Sequence, residues 1–121
     1  MIIRLKDGVS LDHCHGKMYH AISIATQVWQ QCGAHELWIT GGREHGHTTN
    51  PDVSRQFHWL PDGSCQAIDL RTHNLSEGKA QEAQRLLARL LGPEYDVLLE
   101  HPGEDNEHIH VQYDPMRLGT V

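Results

Sequence analysis

Positive charge is the first scarcity in this 121-residue chain. Ten Lys and Arg stand against sixteen Asp and Glu, a formal charge of −6 with histidine neutral. That balance argues against nucleic acid as the main partner, because phosphate binding needs clustered cations. Cysteine is also scarce: Cys14, Cys32 and Cys65 are an odd count and too few for a disulfide-stapled scaffold. None sits in a C-x-x-C pair, so a cysteine-rich zinc finger is excluded and a reducing compartment is the simpler reading. No run approaches the roughly 18 apolar residues of a membrane span. The stretch Met1 to Asp7 has no long apolar segment and carries an early acid, so it does not read as a signal peptide. Aromatic residues make up only 6% and hydrophobic residues 38%. This suffices for one core and, at this length, one domain over residues 1–121.

Histidine is abundant. Protonating all eleven would move the formal charge from −6 to +5 (−6 plus 11), so the surface must respond strongly to acid. So many imidazoles also make a metal site the first thing to seek.

Residues 1–10 read as a short strand or arm ending at the Asp7-Gly8 turn. From Lys17 to Cys32 the apolar residues Met18, Ala21, Ile22, Ile24, Ala25, Val28 and Trp29 recur at helical spacing, with Gly33 as the stop. Glu36 to Thr40 reads as a buried strand, residues 41–64 as a long loop, and Ala67 to Arg71 as a strand. Ser76 suits an N-cap for a second helix with apolar face Ala80, Ala83, Leu86, Leu87, Leu90 and Leu91, ended by Gly92-Pro93. Tyr95 to Glu100 and His108 to Tyr113 read as a hairpin. The expected fold is α+β, an antiparallel sheet with two main helices. Trp29, Trp38 and Phe57 read as core residues, and His73 and His101 as surface residues near strand ends.

The chemistry concentrates in Glu107-His108-Ile109-His110-Val111. On a strand, residues two apart share a face, so His108 and His110 project together with Glu107 at the mouth of the hairpin. Asp69 lies inside an apolar strand, where an unpaired carboxylate would cost several kcal/mol. It needs an arginine (Arg71 or Arg43), a hydrogen-bond network or a metal. His58, Asp69 and His110 would form the three-ligand set of a catalytic zinc that keeps its fourth position for water. His45 and His47 compete with His58 for the first place. His13 and His15 flank Cys14 before the first helix, as a solvated loop or a second soft-metal site.

Thr40-Gly41-Gly42-Arg43, His58, Ala67-Ile68-Asp69-Leu70-Arg71-Thr72, the leucine-rich helix, Tyr95 to Glu100 and His108 to Pro115 occur in this order. Together they resemble the Hedgehog/D-Ala-D-Ala-carboxypeptidase zinc peptidases, in particular the small phage and prophage branch that cleaves peptidoglycan. The resemblance covers nearly the whole chain. It implies zinc held by His58, Asp69 and His110, Glu107 as general base, and Arg43 polarising the scissile carbonyl. His108 would hydrogen-bond the oxyanion or orient the site, and Trp59 would line a substrate groove. The family pattern S-x-H-x-x-G-x-A-x-D separates its His and Asp by seven positions. Here His58 and Asp69 are eleven apart, Gln56 and Cys65 replace the Ser and Gly, and Pro61-Asp62-Gly63 signals a longer turn. Four extra residues, an even number, keep the inward faces of both flanking strands.

The expected activity is hydrolysis of a stem-peptide bond in bacterial cell wall, of the D,D-carboxypeptidase or L-alanyl-D-glutamate endopeptidase type. Neither nucleic acid nor membrane is an expected partner. A chain that is cytoplasmic as synthesised would reach such a substrate after host lysis, as an endolysin does, or inside a virion. A second reading is a non-catalytic zinc-binding domain of the same fold, serving as a phage structural or binding protein. A third follows from His108-Ile109-His110-Val111-Gln112, which resembles the H-x-H-x-Q variant of the histidine-triad nucleotidyl transferases. There His110 would be a nucleophile and no metal would be needed. The sequence leaves open the oligomeric state and which bond is cut.

Overall fold

The computed structural model describes residues 1–11, 14–42 and 66–114. Arg43, His45, His47, Phe57, His58, Trp59 and Cys65, with His13, lie outside the described residues, as does nearly all of the expected loop. The described elements are β1 (Ile2–Leu5), α1 (Gly16–Gln31), β2 (Glu36–Gly41), β3 (Ala67–Arg71), α2 (Ala80–Leu91), β4 (Tyr95–Glu100) and β5 (His108–Tyr113).

The helical spacing in α1 buries Met18, Ala21, Ile22, Ala25, Val28 and Trp29. Trp29 is fully buried, and its indole N–H donates to the Arg71 carbonyl at 3.1 Å, tying the helix to β3. His15 caps the helix: its Nδ1 accepts from the Lys17 N–H at 3.0 Å. That gives His15 a structural part, satisfying one of the open N–H groups of a first turn. After the helix, Gly33 takes a φ of +89°, and a Cβ there would fall 1.9 Å from the Ser76 hydroxyl. Only glycine meets both constraints.

The Ser76 expectation is corrected. Helix α2 starts at Ala80, with Lys79 in the cap position and no side-chain cap. Ser76 instead joins the two helical regions, its N–H donating to the Cys32 carbonyl at 3.0 Å. Ala83 and Leu87 bury the inner face of α2, and Gly92, at φ +88°, ends it.

The five strands form one sheet in the order β1-β2-β3-β5-β4. All neighbours are antiparallel except β1 and β2, which run parallel. The sheet is therefore mixed rather than wholly antiparallel. The chain leaves β1, crosses through α1 and returns at β2, and a connection of that length allows parallel pairing where a tight turn does not.

Alternation along the strands sends side chains to two different environments. Leu37, Ile39, Ile68, Leu70, Val97, Ile109 and Val111 join the helical residues in one apolar core. Complete burial of an aliphatic side chain of this kind contributes about 1.5–3 kcal/mol. The opposite face carries Trp38, Asp69, Arg71, Glu100, His108 and His110. Trp38, expected in the core, is instead half-buried on this second face. Among the described residues, no helix is long and apolar enough to cross a membrane.

Candidate metal centre

Strand register builds the site. Asp69 of β3 lies opposite His110 of β5, and Glu100 of β4 lies opposite His108. His108 and His110 are two residues apart, so β5 presents both imidazoles to the same side between the two carboxylates. Gly41 pairs with Asp69 next to a register shift in the β2–β3 ladder, a kind of irregularity common beside functional sites.

His110 is the most enclosed member, with 9% of its side chain exposed. Its Nδ1 is 2.9 Å from Asp69 Oδ1 and 3.9 Å from Glu100 Oε1, and its Nε2 is 3.0 Å from Gln112 Oε1. Burial alone would lower the His110 pKa. The Asp69 carboxylate and the Gln112 oxygen outweigh it, and the net shift is upward. His108 meets Glu100 Oε1 through Nε2 at 3.0 Å and the Asn106 carbonyl through Nδ1 at 2.8 Å, with Asp69 Oδ1 at 3.7 Å from Nε2. The bond to Glu100 is the main reason its pKa is pushed up to about 9, against the opposing effect of burial. The same bond holds the Glu100 carboxyl below its ordinary range.

Asp69, Glu100 and His108 each offer a ligand atom, and these atoms lie within 4.8 Å of one another. Carboxylate oxygens with imidazole nitrogen suit zinc and other first-row divalent cations, so the donor set fits a metal ion. His110 directs Nδ1 at the same group, while Gln112 fixes its ring from behind, a common arrangement around ligating histidines.

The structure thus brings together Asp69, His108 and His110 from the residues singled out in the sequence. Glu107 takes a different place. The Thr72 hydroxyl donates to its Oε1, and the Gly103 N–H donates to its Oε2 at 2.7 Å. Burial raises the Glu107 pKa, but these two bonds more than offset it and the net shift is downward. Its carboxylate stabilises the β4–β5 turn, while Glu100 is the glutamate that stands among the imidazoles. The first-ligand candidates His58, His45 and His47, with Arg43 and Trp59, lie outside the described residues.

Glu100 was the residue missed by sequence reasoning. A signal for it existed: if residues 101–107 close the hairpin, counting back from His108 puts Glu100 directly across. Beside the cluster a cleft of about 470 Å³ opens, with Asp69, His108, Arg71 and Lys6 on its walls. Comparisons of the chain with family models, curated proteins and solved structures returned no match.

Proposed function

We propose that this chain is a zinc-dependent peptidase acting on the stem peptides of bacterial peptidoglycan. The observation that carries the metal part is the convergence of Asp69, Glu100, His108 and His110 on one sheet face, with Asp69 and His110 facing each other at 2.9 Å. The substrate class rests on the sequence resemblance to the Hedgehog/D-Ala-D-Ala-carboxypeptidase peptidases. In this reading Asp69 and His110 would hold the zinc together with His58. A zinc ion bound there supplies Lewis-acid polarisation of a carbonyl and acidifies a water to a pKa of about 7.

The protein's own groups do the rest. Gln112 orients His110 through Nε2. Glu100, held beside both imidazoles through Oε1 and 42% exposed at its side chain, would take a proton from the attacking water on its other carboxylate oxygen and return it to the leaving amine. Glu107 was the expected base, but its oxygens are engaged by Thr72 and Gly103. His108, whose Nε2–H faces Glu100 Oε1 at 3.0 Å and whose Nδ1–H faces the Asn106 carbonyl, orients the Glu100 carboxylate. Arg43 would add to the carbonyl polarisation, and Trp59 would line the groove.

Metal content and stem-peptide hydrolysis, measured together on variants, test the assignment. The expected result is about one zinc per chain, lost in Asp69→Asn, His110→Gln and His58→Ala. Glu100→Gln should keep the metal and lose about 10²–10⁴ in rate, while Glu107→Gln keeps both. If Glu107→Gln is the inactive variant, the proton carrier is Glu107. If Glu100→Gln and His108→Gln lose the metal while His58→Ala keeps it, the ligands are Asp69, Glu100 and His108. A wild-type chain that takes up no zinc overturns the proposal. The engagement of Glu107 favours one second reading, a metal-binding phage structural or binding domain without catalysis. Unit zinc with no hydrolysis would select it.

A further inference from the structure

Strand β1 is an open edge of the sheet, paired among the described strands only with β2. Ile2, Ile3 and Leu5 are 53%, 47% and 43% exposed, and Met1 before them is 46% exposed. Edge strands are commonly blunted by a proline, a bulge or an inward-pointing charge. The Ile-Ile-Arg-Leu strand carries no proline, pairs with β2 in an unbroken register, and turns its one charge away from the core. That charge is also answered, because Arg4 Nε lies 2.6 Å from Glu36 Oε1.

The backbone determines which groups face the open side. The Ile2 and Lys6 N–H groups donate inward, to the His35 and Ile39 carbonyls at 3.3 and 3.0 Å. Alternation then turns the N–H and C=O of Ile3 and Leu5 outward, where no described strand reaches them. Side chains alternate in step. Ile3 and Leu5 stand beside Leu37 and Ile39 on the core face, whereas Ile2 and Arg4 stand beside Glu36 and Trp38 on the face of the cluster.

An antiparallel partner has to meet outward groups with outward groups. A second copy of β1 does so with Ile3 of one chain opposite Ile3 of the other on a two-fold axis, and Met1 opposite Leu5. Every pair on the core side is then apolar, and Arg4 falls opposite Ile2. Sliding by two residues one way sets Arg4 against Arg4, which is unfavourable, and sliding the other way shortens the ladder. The edge is thus complementary to itself in shape, hydrogen bonding and charge, as a closed two-fold contact requires.

We propose that the chain forms a two-fold dimer through β1, joining two five-stranded sheets into one. The axis runs perpendicular to the sheet, so both clusters open on the same side. Counting from one β5 through β3, β2 and β1 and back out to the other β5, seven spacings of about 4.8 Å separate the clusters by roughly 34 Å. The contact is an edge rather than a broad face and lies at the low end of specific interfaces, below about 1,200 Å². A dissociation constant on the order of 10 µM is expected. The dimer does not depend on the cluster being catalytic.

Sedimentation velocity of the full chain, reduced and at roughly 1 µM to 1 mM, should show the mass rising from 13.7 kDa toward twice that value. Ile3→Lys places two cations at the axis and should weaken the dimer at least about tenfold. Ile3→Pro removes an outward N–H and spares the inward bonds of Ile2 and Lys6, with the same result expected. Circular dichroism of both variants reports that they are folded. Register is read by oxidation. Ile3→Cys should cross-link, because paired Cα atoms about 5.5 Å apart admit a disulfide. Leu5→Cys should not exceed the wild-type background from Cys14, Cys32 and Cys65, since its two thiols would lie about 13 Å apart along the strands. A wild type that stays monomeric overturns the proposal, and protection of its Ile3 and Leu5 amides from hydrogen exchange would then assign the edge to another segment of this chain. A dimer unchanged in both folded variants, or equal cross-linking of Ile3→Cys and Leu5→Cys, overturns it as well.

Discussion

The hydrogen bonds of His108 fix its charge, and Glu100→Gln makes that measurable. Nδ1 faces the Asn106 carbonyl at 2.8 Å and Nε2 faces Glu100 Oε1 at 3.0 Å. A backbone carbonyl and a carboxylate can only accept, so both ring nitrogens must carry protons. This agrees with a pKa pushed from 6.5 up to about 9, chiefly by Glu100. At 1.36 kcal/mol per unit the full shift would correspond to about 3 kcal/mol. Solvent around the 42%-exposed Glu100 side chain reduces this to about 1 kcal/mol. The folded chain holds the proton more tightly than the unfolded chain does. The stabilisation is therefore complete below about pH 6.5 and lost as pH rises through about 9. In metal-free protein, the His108 Cε1–H resonance should titrate near 9 in wild type and at least one unit lower in Glu100→Gln. Urea unfolding midpoints on either side of that window should fall more in wild type than in the variant. Wild-type titration near 6.5, or the same midpoint in both proteins, would refute the reasoning. If Asp69, Glu100 and His108 prove to be the ligands instead, zinc uptake at His108 Nε2 near neutral pH would release a proton.

Three further outcomes follow from the packing and the site. Trp29→Phe removes the 3.1 Å donor of the part-buried Arg71 carbonyl and leaves a small void where the fully buried indole stood, so urea unfolding should show a loss of about 1–3 kcal/mol. Gly33→Ala meets both a φ of +89° and the Ser76 hydroxyl. It should destabilise by more than about 1 kcal/mol, and the double variant with Ser76→Ala should recover only part, because the backbone strain remains. Gln112→Leu removes the oxygen that orients His110, and zinc affinity by competition with a chelator should fall about 10–100-fold; an unchanged affinity would exclude this part for Gln112.

Helix α1 was legible because six buried residues follow one stripe, and the hairpin because alternation and Pro102-Gly103 mark its strands and turn. The pairing of Asp69 with His110 could be anticipated from an acid and a histidine on apolar strands. Three features were harder to read. The parallel β1–β2 pair depends on where α1 delivers the chain, which no local pattern encodes. Trp38 reads as core by composition, yet the phase of β2, set by burial of Leu37 and Ile39, turns it to the other face. Glu107 and Glu100 are equivalent in type, and only the closure of the 101–107 turn determines which of them reaches the histidines.

The sorting of side chains in β3 and β5 bears on how such a protein can change over generations. Ile68, Leu70, Ile109 and Val111 secure the scaffold, while Asp69, Arg71, His108 and His110 alternate with them and point away. Selection can therefore exchange the reactive set by single substitutions without disturbing the neighbours that hold the strands. A lineage could replace the charged and imidazole set of this face and hand the same surface to another task while inheriting an unaltered interior.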